Sequence, residues 1–282
     1  MYLSHFGLTS APFALTPNTQ FFHALPPHLE AITTTLAALE MGEGIIQISG
    51  EVGTGKTLVC RMIINQLPAH FELAYLPTPA ACGNELRMAL AKELNIDSTG
   101  DTATLTERLH QALLERKAKR KSVVLILDEA QALSDEVLEV IRLLGNLETE
   151  HEKLLHIILL GQPELDQRLA QHHMRQFRQR ITFRSCLREL ELAEAVAYIE
   201  HRLNSVSKQE YQSLFSLAQY KEIWTASYGI PRLINQLCHK ALIAACSDNR
   251  LKVSRHDVLL AIKDTLGARQ PRWTYPVLWG WQ

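Results

Sequence analysis

Gly50-Glu51-Val52-Gly53-Thr54-Gly55-Lys56-Thr57 fits Gly-x-x-x-x-Gly-Lys-Ser/Thr at every fixed position. Ile45-Ile46-Gln47-Ile48 before it reads as a short buried strand, and Leu58-Val59-Cys60-Arg61-Met62-Ile63-Ile64 after it reads as a helix start. Strand, glycine turn and helix in that order build a polyphosphate cradle. Backbone N–H groups at a helix N-terminus satisfy a dense anion, and glycines let the backbone approach it. On this reading Gly50 through Leu58 line the nucleotide, Lys56 reaches its β- and γ-phosphates, and the Thr57 hydroxyl binds Mg2+. ATP and Mg2+ are therefore the expected ligands.

A second motif lies about 70 residues on. Val123-Val124-Leu125-Ile126-Leu127 is apolar at every position, as a strand buried on both faces must be, and it ends in Asp128-Glu129. This is the Walker B pattern. Asp128 is expected to hold the metal and Glu129 to orient the attacking water. Phosphoryl transfer needs this division because the phosphate is already anionic and repels nucleophiles. The next apolar run, Leu154 to Leu160, leads into Gly161-Gln162-Pro163. Gln162 is thus expected beside the acids, where its amide can bond the γ-phosphate or the lytic water.

Arginines supply the remaining charge. Arg175, Arg178 and Arg180 precede a fifth strand at 181–185, and Arg180, then Arg178, are candidates to act across a subunit interface. Gly229-Ile230-Pro231-Arg232 opens a helix: Gly229 breaks the chain, Pro231 fixes the first turn, and Arg232 is the candidate sensor of the phosphates.

Around these motifs strands and helices alternate. Strand-like runs fall at 45–48, 72–76, 123–127, 154–160 and 181–185. Helical runs fall at about 27–41, 57–67, 83–94, 103–118, 135–148 and 163–171. Such alternation predicts a parallel sheet with helices on both faces. Beyond 188 only helices are expected, at 192–206, 210–227, 231–247 and 254–266. The predicted organisation is an N-terminal arm (1–25), an α/β nucleotide-binding domain (26–188), an all-helical lid (189–268) and a tail (269–282). That tail carries Trp273, Trp279 and Trp281. It can dock on the protein itself, on a partner or at a membrane interface.

Composition narrows the classes. The 282 residues carry a net charge of -1, which gives no overall electrostatic case for nucleic acid. The run Arg116-Lys117-Ala118-Lys119-Arg120-Lys121 reads as a solvated helix end. Cys60, Cys82, Cys186, Cys238 and Cys246 show no C-x-x-C spacing, so mostly buried free thiols in a reducing cytosol are expected. No apolar stretch reaches the roughly 18 residues of a spanning helix, and no secretory leader is evident. The expectation from the residues is a cytoplasmic protein.

The set Gly50–Thr57, Asp128-Glu129, Gln162 and Gly229-Ile230-Pro231-Arg232 resembles the AAA+ ATPases. Tyr2-Leu3-Ser4-His5-Phe6-Gly7-Leu8, Ala11-Pro12-Phe13, Thr16-Pro17, Leu127-Asp128-Glu129-Ala130-Gln131 and Gly161-Gln162-Pro163-Glu164-Leu165 are similar to the general secretion pathway protein A (ExeA) type within them. The nearest resemblance is to the MshM branch, which serves the mannose-sensitive haemagglutinin (MSHA) type IV pilus. The resemblance implies a 5-1-4-3-2 sheet with a helical lid, Mg-ATP binding, slow hydrolysis and nucleotide-linked homo-oligomers. Pilus or secretion assembly proteins at the inner membrane are the implied partners. Longer relatives continue into a membrane span and a peptidoglycan-binding domain; the expectation from these 282 residues includes neither, and with them no direct cell-wall binding. Two other functions fit the same motifs: a DNA-associated regulator like the transposition ATPases, and a nucleotide-gated scaffold that scarcely hydrolyses ATP.

Overall fold

The computed structural model describes residues 2–16, 19–208 and 213–271. In chain order the elements are α1 (Tyr2–His5), α2 (Pro26–Glu40), β1 (Ile45–Gly50), α3 (Lys56–Gln66) and β2 (Phe71–Leu76). There follow α4 (Gly83–Glu93), α5 (Thr102–Ala118), β3 (Ser122–Leu127), α6 (Asp135–Leu144), β4 (Leu155–Gly161) and α7 (Pro163–Leu169). Then come α8 (Arg175–Arg178), β5 (Ile181–Leu187), α9 (Leu192–Asn204), α10 (Leu217–Ser227), α11 (Pro231–Ser247) and α12 (Arg255–Lys263). By their internal contacts the residues form two compact units. One comprises Pro26–Val52 and Lys56–Arg188; the other comprises the described residues of 2–25, Gly53–Gly55 and 189–271.

The first unit is built on a five-stranded sheet of order β2-β3-β4-β1-β5, with every pairing parallel. Read from the other edge this is the expected 5-1-4-3-2. Burial explains the arrangement. β1, β3 and β4 are buried at every position, which suits inner strands covered on both faces. β5 alternates between half-buried and exposed residues along most of its length, as an edge strand does. Its alternation corrects one expectation: Cys186 is exposed, and so is Cys82 just ahead of α4, while Cys60 and Cys238 are buried. Leu86, Leu90, Leu105, Leu109 and Leu113 from α4 and α5 pack with Leu125 and Leu127 of β3 into one core.

The second unit is helical. α9, α10 and α12 each start with a capping box, at Glu191–Glu194, Ser216–Gln219 and Ser254–Asp257. The reciprocal bonds of such a box satisfy two orphan donors and fix where a helix begins. The box at Ser216 explains why α10 starts at Leu217 and not near 210, as expected from the sequence. The arm packs into the same unit. Thr9 N–H donates to the Val206 carbonyl at 2.8 Å, the Tyr2 hydroxyl meets His239 Nδ1 at 3.0 Å, and Phe13 joins the core of Ile199 and Leu203. Among the described residues no helix is long and apolar enough to cross a membrane. The three tail tryptophans lie outside the described residues.

Candidate functional site

Every strand of a parallel sheet delivers its carboxyl end to the same side, and open α/β folds bind ligands there. β1 ends at Gly50, where the glycine turn begins, and α3 starts at Lys56. Gly53 and Gly55 have φ of 90° and 106°, values that favour glycine. The Lys56 ammonium is buried and donates to the Gly50 carbonyl at 2.6 Å and the Glu51 carbonyl at 3.0 Å. Burial lowers its pKa below the usual lysine value, while the charges of Glu129, then Asp128, Glu51 and Glu164, push it back up. Lys56 therefore shares one electrostatic neighbourhood with both acids. Thr57 follows it in the first turn of α3, half-buried.

β3 delivers the acids. Asp128 is buried at 5% exposure, and its Oδ1 accepts the Glu129 N–H at 2.9 Å. Burial raises the Asp128 pKa, and the Glu129 charge adds to this; the Glu129 N–H and the Lys56 ammonium oppose it. The Tyr75 phenol on β2 is pushed up to about 12, chiefly by burial, with Asp128 among the groups that add to it. Glu129 then leaves the strand in a left-handed conformation, φ 54° and ψ 36°. A non-glycine residue there carries strain of roughly 1–3 kcal/mol, a cost that persists where surrounding bonds hold the geometry.

Those bonds are visible. Glu129 Oε2 accepts from the Gln131 amide at 2.5 Å and from the Gln162 amide at 3.2 Å, and the Gln131 carbonyl oxygen accepts the Gln162 N–H at 3.1 Å. Gln162 is the N-cap residue of α7, with Pro163 at the first helical position. The expected companion of the acids is therefore present, bonded to Glu129 itself. Gln131 and Tyr75 were not foreseen. The 3-10 turn Ala130–Ala132 folds Gln131 back onto Glu129. The only sequence trace of this is a polar residue two places after an acid at a strand end.

The arginines lie elsewhere. Arg178 and Arg180 are exposed on either side of Gln179. The register Ile45↔Ile181 puts them at the amino end of the sheet, away from their own Lys56 and Asp128. In the helical unit Arg232 is exposed, second in α11, and its N–H donates to the Gly53 carbonyl at 3.1 Å. A Cβ on Gly53 would meet Arg232 Cβ at 2.5 Å. Gly229, at φ 74°, accepts the Leu190 N–H at 2.9 Å, and a Cβ there would lie 2.3 Å from the Leu190 oxygen.

As a donor set, the Asp128 carboxylate and the Thr57 hydroxyl are hard oxygen ligands. Together with phosphate oxygens they suit Mg2+. The oxygen donors present thus fit a magnesium-bound nucleotide.

Residues 39–169 match the family described as "AAA domain". General secretion pathway protein A of Aeromonas hydrophila is 37% identical over 298 aligned positions, which take in all of this chain and 54% of that protein. The chain thus spans about half the length of that relative. Among solved structures, the Aeropyrum pernix ORC2 protein in its ADPNP-ADP complexes superposes with a TM-score of 0.63 at 15% identity, covering 88% of this chain and 72% of that one. The Aeropyrum pernix ORC1 protein in complex with DNA gives 0.64 at 15%, covering 90% and 69%. At such identities the structures speak for the fold alone. Sheet order, glycine turn, acid pair and these likenesses give the α/β unit the P-loop AAA fold, and the whole chain is similar to general secretion pathway protein A.

Proposed function

We propose that the chain is a Mg2+-dependent ATP-hydrolysing assembly factor of a secretion or type IV pilus apparatus, with the MSHA pilus as its specific object. The observation that carries the enzymatic part is the convergence of Lys56, Asp128 and Glu129 at the carboxyl end of the sheet. Lys56 leaves the Gly50 and Glu51 carbonyls and grips the β- and γ-phosphates. Gly50 through Leu58 line the polyphosphate, with backbone N–H groups at the α3 N-terminus facing it. Thr57 and Asp128 would hold Mg2+, which when bound would supply positive charge to the phosphates. Glu129 orients the attacking water and takes its proton as the water oxygen bonds the γ-phosphorus and the bond from that phosphorus to the ADP oxygen breaks. Gln162 reports phosphate occupancy to Glu129 through the bond they share.

Two parts of this reading need a second body. The exposed guanidiniums of Arg180 and Arg178 serve a neighbouring copy, which makes turnover depend on homo-oligomers. Arg232, at the start of α11, senses the γ-phosphate and links it to the angle of the helical lid. Lid motion then remodels a partner at the inner membrane, which the protein reaches through assembly proteins. Similarity over the whole chain to general secretion pathway protein A supports the secretion setting.

The test is ATP turnover by wild type and Glu129→Gln. General base and acid contributions run to about 10²–10⁴-fold, so a fall of about 100-fold or more is expected, with nucleotide affinity kept within threefold. Equal turnover removes Glu129 from its role. The setting is tested separately: a deletion strain should lose surface pili, with wild type restoring them and Glu129→Gln failing to. Normal piliation in the deletion strain contradicts the pilus assignment.

A further inference from the structure

We propose that Gln131 is a positioning residue that ties the aim of Glu129 to the end of β4. The claim rests on Glu129 acting on the attacking water. Gln131 uses both ends of one planar amide. Its nitrogen donates to Glu129 Oε2 at 2.5 Å, and its oxygen accepts the Gln162 N–H at 3.1 Å. Gln162 closes the ring by donating its own amide to the same Oε2 at 3.2 Å. Glu129 Oε2 thus takes two amide donors, and Oε1 is the oxygen left for water.

The ring has a physical reason. Glu129 sits at φ 54°, a conformation that its backbone does not favour. Its side chain must be anchored from outside, and the 3-10 turn Ala130–Ala132 brings an anchor from the same loop. Only a side chain with a donor and an acceptor on one rigid plane satisfies a carboxylate and a backbone N–H together. Glutamate in place of Gln131 lacks the donor, and leucine lacks both. Gln131 also adds a second link between two segments that the Gln162–Glu129 bond already joins: the loop after β3 and the turn from β4 into α7. Any shift of Gln162 on sensing phosphate therefore moves the Glu129 carboxylate with it.

The experiment is a double-mutant cycle on the full chain with ATP and Mg2+, reading turnover at saturating ATP beside ADP affinity and melting temperature. Gln131→Leu should lower turnover by about 10–100-fold, since a small misplacement of a reacting group costs on this order. ADP affinity should stay within threefold. Adding Gln131→Leu to Glu129→Gln should cost nothing further, because a residue acting only through Glu129 has nothing left to aim. If Gln131→Leu does not fold, Gln131→Asn keeps the amide but withdraws it by one methylene and should show the same pattern. Wild-type turnover in the Gln131 variant beside a collapsed Glu129→Gln overturns the positioning role and leaves Glu129 standing. Losses that multiply in the double variant also overturn it, because they mark a general structural role. No loss in Glu129→Gln overturns both readings at once.

Discussion

The two ends of the sheet treat charge in opposite ways. At the amino end, charges are matched with one another. Arg116 meets Glu72 at 3.1 Å, Lys117 meets Glu152 at 3.0 Å, Lys153 pairs with Glu148, and His70 lies 3.7 Å from Glu40. Most of these residues rim a cleft of 780 Å³ whose floor includes Phe71, Ser122 and the buried, uncharged-favouring His156. At the carboxyl end Lys56 rests on two backbone carbonyls, and two acids stand together at one strand end. Peptide carbonyls are weaker partners for an ammonium than a polyphosphate is, so Lys56 gains on exchanging them. Apart from the exposed Arg178 and Arg180, the charges named at the amino end are settled within the chain; the other end is arranged for a ligand that carries negative charge.

Variants at each end should separate accordingly. The largest effect after that of Glu129→Gln is expected at Lys56. Lys56→Met keeps the stem and removes the ammonium. Hydrogen bonds to charged groups contribute about 1.5–3 kcal/mol, so ATP affinity by equilibrium titration should fall about ten- to hundredfold. An unchanged affinity would show that Lys56 does not meet the nucleotide, and the contrast between the ends would collapse.

A smaller effect is expected at His156. Burial holds this imidazole below the usual histidine value; nearby Lys117 and His70 add to that, while the Glu43 carbonyl and Glu152 oppose it. Nδ1 lies 2.7 Å from the Glu43 oxygen, to which the neutral ring donates. Both folded and unfolded states are neutral above the unfolded value near 6.5, and stability is full there. As pH falls below it the unfolded chain takes the proton first, so stability declines until the lower folded value is passed. The melting temperature should therefore drop between pH 7.5 and 5.5, and His156→Gln should flatten the drop. His23, His201 and His239 shift the same way and should leave a residual slope. Identical slopes in the two proteins would remove His156 as a cause.

The smallest effect is expected at Lys117→Ala. Its partner Glu152 is 60% exposed, and such pairs contribute about 0–1 kcal/mol. Melting should move by a degree or two and ATP turnover should not move. A clear loss of turnover would mean that the amino end shares in the chemistry, and the comparison would need redrawing.

The same contrast explains what could be read from the sequence. The glycine turn and the acid strand were legible because their chemistry is written in backbone and spacing: a fixed interval sets glycines, lysine and threonine, and an all-apolar run announces an inner strand. Parallel pairing followed from alternation, whereas the strand order came through resemblance. Gln131 was not legible as a partner of Glu129, because the left-handed turn at Glu129 that brings it back has no local signature; glutamate is not a residue expected at φ 54°. The start of α10 was misplaced although Ser216-Leu217-Ala218-Gln219 spells a capping box. Apolar residues upstream, Leu214 and Phe215, extended the helical pattern past it. The exposure of Cys186 was not legible either, because Arg184-Ser185-Cys186-Leu187-Arg188 does not reveal which face of an edge strand is open.

The most direct test of the whole account is to locate a non-hydrolysable ATP analogue bound with Mg2+ in an experimental structure of this chain. The account predicts the polyphosphate in the Gly50–Thr57 turn, with the Lys56 ammonium released from the Gly50 and Glu51 carbonyls and placed on the phosphates. It also predicts Asp128 and Thr57 beside the metal. A nucleotide bound elsewhere, or Lys56 still seated on its own carbonyls beside a filled turn, would contradict it.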